Sequence, residues 1–214
     1  MDNDSNFRKS ISKAVINRLP RYYRYLGDLL KSDITRISSG ELASRMSLTA
    51  SQIRQDLNCF GGFGQQGYGY NVRSLYEAIG RILGVAESYN AVIVGIGNLG
   101  HALASHHLFK NRGVNLIGLF DKNPEVIGQK VLSLTITHID NLEEFCKNNR
   151  VDIAVMTVPK VETPIMCERL AKLGVRGFWN FSNVELELPE FDNVHIENVH
   201  MGDSLMKLCY KLTQ

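Results

Sequence analysis

Nowhere in its 214 residues does the chain carry an uncharged apolar run of membrane-spanning length, and its opening, Met1-Asp2-Asn3-Asp4, has neither the basic start nor the apolar stretch of a secretion signal. Both absences point to a cytoplasmic protein with no membrane partner. Cysteine is scarce as well: Cys59, Cys146, Cys167 and Cys209 are scattered, with no Cys-x-x-Cys pair. That pattern fits reduced thiols better than a zinc site or a disulfide framework. Net charge is small too, 24 Lys and Arg against 22 Asp and Glu, yet it is unevenly placed. Residues 1–85 hold 12 basic against 7 acidic side chains, and residues 86–214 hold 12 against 15. A basic first part suits a polyanion that the second part does not meet.

What is present is organised around Ala91-Val92-Ile93-Val94-Gly95-Ile96-Gly97-Asn98-Leu99-Gly100. The short β-branched run reads as a strand buried on both faces, and it leads into glycines at the Gly-x-Gly-x-x-Gly spacing of a dinucleotide cradle. The first glycine permits a tight turn, the second lets a pyrophosphate approach, and the third lets the next helix pack on the strand. The N–H groups of that helix then face the phosphates. By itself the motif also fits an ordinary glycine-rich turn. A second strand, Asn115 to Phe120, ends at Asp121, 21 residues beyond Gly100, where such a fold places the acid that accepts the adenosine ribose hydroxyls. A carboxylate there repels a 2′-phosphate, so the expected cofactor is NAD(H) rather than NADP(H).

Ahead of this region, residues 11–30 read as a helix with Ile11, Val15, Leu19, Leu26 and Leu30 on one side and Pro20 as a break or kink. Ser38-x-x-Glu41 and Thr49-x-x-Gln52 are two capping boxes, so helices are expected from near residues 39 and 50, joined by a turn at Met46-Ser47-Leu48. Two short helices so joined form a helix-turn-helix. In the second, Ile53, Leu57 and Phe60 make the core stripe, which turns Ser51, Gln55 and Asn58 outward with Gln52 and Arg54 on the flanks. Gln and Asn pair with adenine, Arg with guanine or phosphate and Ser with any base, so this face suits a major groove, although a plain solvated helix face has the same polarity. Gly61 to Val72 alternates glycine and aromatic residues around Gln65-Gln66-Gly67, the pattern of a hairpin, and a helix-turn-helix followed by a hairpin is a winged helix. No Gly-Lys-Ser/Thr follows these glycines, which argues against a nucleoside triphosphate loop.

An amphipathic stretch from Val72 to Leu83 and a short linker then place a domain boundary near residue 85. Strands at Thr135–Ile139, Ile153–Val158 and Gly177–Phe181 alternate with helices around Leu142–Asn148 and Ile165–Leu173, the rhythm of a doubly wound parallel α/β sheet of Rossmann type. Thr157, Val158, Pro159, Asn180 and Phe181 fall at strand ends where a dinucleotide lies. Six histidines are present, none beside an acid at a catalytic spacing, and about 130 residues leave little room for a substrate domain. After Gly202, with Asp203 or Ser204 as cap, Leu205, Leu208, Cys209 and Leu212 share one face of a terminal helix that must dock somewhere. The expected organisation is a winged-helix domain over 1–85, a Rossmann domain over 86–201 and a dimerisation helix over 202–214.

Ser51-Gln52-Ile53-Arg54-Gln55-Asp56-Leu57, Phe60-Gly61-Gly62-Phe63-Gly64-Gln65-Gln66-Gly67-Tyr68-Gly69-Tyr70, Val94 to Gly100, Asn180-Phe181 and Glu197-Asn198-Val199 together resemble the Rex family of redox-sensing transcriptional repressors over nearly the whole chain. The resemblance implies a homodimer on palindromic operator DNA, released by NADH and permitted to bind by NAD+, with the terminal helix exchanged between subunits. It assigns Ser51, Gln52, Arg54 and Gln55 to the recognition helix, Gln65 and Gln66 to the wing tip, and Arg18 to a DNA-backbone contact. Gly95, Ile96, Gly97, Asn98, Leu99, Gly100 and Asp121 match the cofactor loop and ribose acid, and Arg24, His106 and His200 match switch positions. There the chain departs from relatives that carry a tyrosine at 106 and an aspartate at 200, and its wing tip lacks the basic residue some relatives have. Two other classes stay open: an NAD-dependent oxidoreductase with an accessory N-terminal domain, and a DNA-binding protein whose nucleotide fold holds no dinucleotide.

Overall fold

A computed structural model describes residues 11–59, 64–65, 68–106, 108–109 and 112–213. The chain divides into two compact units, Met1–Ala86 and Glu87–Gln214.

The first unit begins with α1 (Lys13–Lys31), capped by Ser12, whose side chain accepts from the Val15 N–H. Val15, Leu19, Tyr22, Leu26 and Leu29 form its buried stripe, while Ile11 and Leu30 are only half-buried. The expected break at Pro20 does not occur: the helix runs through it. Pro20 lies on the exposed side, so the Ile16 carbonyl that loses its helical partner can turn to water. Next come β1 (Arg36–Ile37), α2 (Ser39–Met46) and α3 (Ala50–Asn58). Ser38 and Glu41 complete a reciprocal capping box on α2. On α3 only half the predicted box forms, because the Thr49 side chain accepts from the Gln52 N–H while the Gln52 amide turns to Asp56. Ser47 closes α2 in the left-handed region at φ 53°, which gives the tight turn between the two helices.

β2 (Gly64–Gln65) and β3 (Gly69–Asn71) pair antiparallel, and β1 joins on the other side of β3 in a three-stranded sheet ordered β1-β3-β2. Gly69 sits at φ +70°, and a Cβ there would come within 2.6 Å of the Ile37 carbonyl oxygen, so the wing joins β1 at a point open only to glycine. α4 (Val72–Ile82) follows, capped by Asn71, and packs on α1, with Tyr23 and Tyr76 stacked at 4.2 Å between ring centres. Helix-turn-helix, hairpin and closing helix make this unit the winged helix that its sequence predicts.

The second unit is a seven-stranded sheet. β4 (Tyr89–Val94), β5 (Val114–Asp121), β7 (Leu134–His138), β8 (Ile153–Met156), β9 (Gly177–Asn180) and β10 (His195–Asn198) run parallel, and only β6 (Lys130–Val131) pairs antiparallel, at the edge. The order is β10-β9-β8-β4-β5-β7-β6, so β4 is the point from which successive connections wind outward in both directions. Ala91 to Val94 have no exposed surface. Val92 and Val94 join one apolar layer with residues of α6 (Leu142–Asn148) and α7 (Thr163–Lys172), while Ile93 joins the layer on the opposite face beside Ala104 of α5 (Asn98–Ser105). β6 and β10 went unread in the sequence, the first because it has two residues, the second because His195-Ile196-Glu197-Asn198 has a single apolar side chain. α8 (Met201–Leu212) starts at Met201 with His200 as its cap residue, ahead of the expected Asp203 or Ser204, and none of its side chains is buried.

Candidate functional site

A cavity of about 880 Å3 opens at the C-terminal ends of β4, β5, β8 and β9, the place where open α/β sheets bind ligands. Its wall contains Gly95, Ile96, Gly97, Asn98, Asp121, Thr157, Val158, Pro159 and Phe181. The glycines divide the work unequally. Gly95 takes φ +94°, and a Cβ there would lie 2.8 Å from the Thr157 carbonyl; one at Gly100 would strike the Gly95 carbonyl oxygen. Those two are demanded by the protein's own packing. A Cβ at Gly97 would meet nothing within 4 Å, so no neighbouring protein atom demands glycine there, and the open space beside it belongs to the cavity. The helix behind it presents N–H groups of Asn98, Leu99 and Gly100 that have no earlier carbonyl within the helix, the first internal bond being His101 N–H to the Gly97 carbonyl. Glycine cradle, helix start and carboxylate together fit a dinucleotide.

The cradle is clamped from both sides. Thr157 Oγ1 donates to the Gly95 carbonyl at 2.6 Å and the Val94 carbonyl at 3.1 Å. Asp121 accepts from the Ile96 N–H with one oxygen and from the Asn123 N–H, at 2.8 Å, with the other. Asp121 therefore holds the glycine loop in shape, and each of its oxygens retains a lone pair beyond these bonds.

Three predicted contacts lie off the cavity wall. Leu99 and Gly100 are not among the lining residues, and what they can offer a ligand is their backbone N–H groups at the helix start. Asn180 is buried, and its side chain is committed to the fold: its amide donates to the Val184 carbonyl and Asn198 Oδ1, and its oxygen accepts from Ser182. It holds the loop that carries Phe181, Ser182 and Asn183 to the cavity rather than touching the cavity itself. Sequence reading missed Lys122, Asn123, Val126, Ile139 and Glu162, which also line it. Lys122 and Glu162 form an ion pair at 2.6 Å, from two loops 40 residues apart that no local spacing would join.

In the winged helix, Ser51, Arg54, Gln55 and Asn58 are exposed on α3, with Ile53 and Leu57 buried behind them. Arg54 Nη1 reaches Ser39 Oγ at the start of α2, 3.1 Å away. Phe60 and Gln66 lie outside the described residues, as does the side chain of Gln65. Two of the predicted DNA-contacting residues are turned inward. Arg18 gives its Nε and Nη2 to Asp56, and Gln52 gives its amide to the same carboxylate at 2.8 Å. Tyr22 donates to it as well, at 2.8 Å. Asp56 is fully buried on the core side of α3; burial favours its neutral form, but the bonds from Arg18, Gln52 and Tyr22 outweigh that and hold its pKa below the ordinary range. A charged residue between Ile53 and Leu57 on a core stripe was the signal that a buried partner must exist.

Of the positions that the resemblance assigns to a switch, His106 and His200 are not among the residues lining the cavity. Arg24 is exposed on α1. His106 ends α5 at a small cavity lined by Phe109, Leu116 and Val131. His200 Nε2 is 3.0 Å from Glu185 Oε2, a contact that lowers the Glu185 pKa. Cys167 is buried and its thiol is pushed up to about 12 by burial, which leaves it little thiolate for redox chemistry.

Residues 10–58 match the family described as "Putative DNA-binding protein N-terminus", and residues 86–184 match the "CoA binding domain" family. The redox-sensing transcriptional repressor Rex of Caldanaerobacter subterraneus subsp. tengcongensis is 51% identical over 95% of this chain and 90% of its own length. That of Clostridioides difficile is 52% identical over 96% and 97%. Among solved structures, RSP, a Rex-family repressor, in complex with β-NAD+ and operator DNA is 48% identical with a TM-score of 0.88, covering 94% of this chain and 92% of that one. Its complex with β-NADH is 45% identical with a TM-score of 0.86, over 95% and 94%. The chain belongs to the Rex family of redox-sensing transcriptional repressors.

Proposed function

We propose that this chain represses transcription by binding operator DNA through its winged helix and that it lets go when NADH fills the cavity at the glycine loop. The observation that carries this reading is the pairing, in one chain, of a recognition helix with Ser51, Arg54 and Gln55 exposed and a nucleotide cradle whose Gly97 borders the open space of the cavity. Both ligands are known for the relative RSP, solved with β-NAD+ and operator DNA and with β-NADH. The protein acts as a sensor and not as an enzyme, for its cavity reads which redox form of the nicotinamide is bound.

In this reading residues 1–85 are the DNA-binding domain, 86–201 the NAD(H)-binding domain and 202–214 a dimerisation helix. Asn98, Leu99 and Gly100 offer backbone N–H groups to the pyrophosphate, Asp121 takes the adenosine ribose hydroxyls, and Thr157, Val158, Pro159 and Phe181 shape the remainder of the cavity. Arg54, Ser51 and Gln55 read bases, with Gln65 and Gln66 at the wing. Arg18 and Gln52 serve DNA through Asp56, by fixing α3 on α1, and Arg18 Nη1, which takes no part in the Asp56 bonds, is the nitrogen left for a phosphate. The protein works as a cytoplasmic homodimer on palindromic operators, with α8 docked on, and exchanged with, the other subunit. Supporting that dimer, Leu205, Leu208 and Leu212 are all exposed on a 12-residue helix, too short to persist without a surface to cover it. Arg24, His106 and His200 stand at the family's switch positions, where two histidines cannot reproduce the acid–arginine pair of some relatives. Among the described residues no helix is long and apolar enough to cross a membrane.

The test is operator binding titrated with NADH, with NAD+ and with neither. NADH is expected to weaken binding, and operator DNA to weaken NADH binding by the same factor, because coupling of two equilibria is reciprocal. Three coincident isotherms overturn the reading.

A further inference from the structure

We propose that Glu162 is a specificity-determining residue of the dinucleotide cavity: by pairing with Lys122 it keeps that ammonium from compensating a 2′-phosphate, so that NAD(H) is preferred over NADP(H). The proposal rests on reading the cavity as an NAD(H) site. Asp121 alone is the usual discriminator, since a carboxylate on the ribose hydroxyls repels a phosphate there, whereas a cation close by accommodates one. In this chain a cation stands immediately beside the acid, in sequence and on the cavity wall: Lys122 follows Asp121, and both line the cavity. With its ammonium free, Lys122 would offset the very charge that Asp121 contributes.

The structure places Glu162 where it prevents this. Its Oε1 lies 2.6 Å from Lys122 Nζ, and it lines the same cavity from the opposite loop. Its backbone is fixed: Glu162 N–H donates to the Pro159 carbonyl at 2.9 Å, and Glu162 is the cap residue just ahead of α7. A helix N-terminus favours a carboxylate, which holds the negative charge at this spot. Counting Asp121, Lys122 and Glu162, the adenosine end carries one net negative charge; without Glu162 it carries none. The pair itself is partly exposed, with side-chain exposures of 64% and 36%, so it adds little to folding stability, and its effect is on which ligand is accepted.

The experiment measures the ratio of NADPH to NADH dissociation constants by nicotinamide fluorescence on the full chain, for the wild type, Glu162→Gln, Lys122→Ala and the double variant. In Glu162→Gln the ratio is expected to fall about fivefold to tenfold, the effect of one charge a few ångströms away in a solvated site. The fall should shrink as salt rises, and it should vanish in the double variant, because Lys122 causes it. An unchanged ratio in Glu162→Gln, an equal fall in the double variant, or loss of both ligands together overturns the proposal. Failure of the wild type to bind NADH at all overturns the reading of the cavity as well, which separates the two.

Discussion

Arg18 and Asp56 meet in a two-pronged ion pair, Nε to Oδ2 at 2.6 Å and Nη2 to Oδ1 at 2.8 Å, with the aspartate side chain fully buried between α1 and α3. Asp56 is the one fully buried charged side chain of this helical unit among the described residues, and Tyr22 and Gln52 complete its contacts. Removing the carboxylate alone leaves a guanidinium facing inward with no counter-charge. Asp56→Ala is therefore expected to destabilise the winged helix by about 3–5 kcal/mol, read by chemical denaturation followed by tyrosine fluorescence or far-UV circular dichroism. A loss below about 1 kcal/mol, the range of a surface pair, would show that the network does not hold α3.

The same pair has a pH dependence of known sign. The folded pKa of Asp56 lies below the ordinary aspartate value of 3.8, a lowering that prevails over the opposing effect of burial. Its contribution is then fully present above that ordinary value and disappears as pH falls through the folded one. The N-terminal unit is expected to lose stability on acidification below about pH 4, and Asp56→Asn should flatten that stretch of the stability curve. Equal acid sensitivity in wild type and Asp56→Asn refutes the assignment.

The glycine loop offers a test that separates fold from binding. Gly97→Ala adds a methyl group that meets no protein atom, so stability should change by no more than about 1 kcal/mol, the scale of a helix-cap substitution. NADH affinity should nevertheless drop at least tenfold, since the methyl occupies the space against which the pyrophosphate lies. Gly100→Ala drives its methyl into the Gly95 carbonyl and should damage both. Isothermal titration with NADH beside a thermal melt distinguishes the two variants; a Gly97→Ala protein that binds NADH normally would remove the cradle from the cofactor site.

These residues also mark how far the sequence could be read. Gly95 and Gly100 are legible because a tight turn and a close helix contact each require glycine at one offset along the chain, and Asp121 because the end of the second strand falls at a fixed distance from them. α2 and α3 are legible for the same reason, their caps being local: Ser38 with Glu41, Thr49 with Gln52. Side-chain direction was not. Gln52 looks like a groove contact on a helical wheel and Arg18 like a DNA-backbone contact by resemblance, and both turn to a carboxylate that lies 38 residues from Arg18 in sequence. Asn180 sits at the right strand end and yet serves the loop behind it. Lys122 and Glu162 come together only because β5 and β8 flank β4, a consequence of sheet order that no local pattern encodes.

Asp121 holds the glycine loop and, in the proposed reading, accepts the ribose hydroxyls, so NADH binding should be sensitive to its substitution on both counts. Its oxygens accept from the Ile96 and Asn123 N–H groups, so Asp121→Ala should loosen the glycine loop as well as remove the ribose acceptor. Asp121→Asn retains one oxygen for the backbone but turns the other into a donor, facing an N–H. Both variants are expected to weaken NADH binding by an order of magnitude or more, about 1.4 kcal/mol per tenfold, while operator affinity without cofactor stays at the wild-type level. A parallel loss of operator affinity would mean that the substitution damages the fold beyond the second unit.

Fewer polar side chains of α3 are free to face a groove than the sequence implies. With Gln52 committed to Asp56, Arg54 is the exposed cation of α3, and its contact with Ser39 is a single bond at 3.1 Å that a guanine or phosphate can replace. Arg54→Ala is expected to cost about 1–3 kcal/mol of operator binding if the side chain reads a base. The loss should be accompanied by relaxed preference at one operator position, whereas a phosphate contact would weaken all sequences alike and reduce the salt dependence. Gln52→Ala, in contrast, should act through Asp56: it leaves the carboxylate one donor short, so its cost should appear in the unfolding free energy, with operator preference unaltered. Loss of preference at a single base pair in Gln52→Ala, with stability unchanged, would return that residue to the reading face.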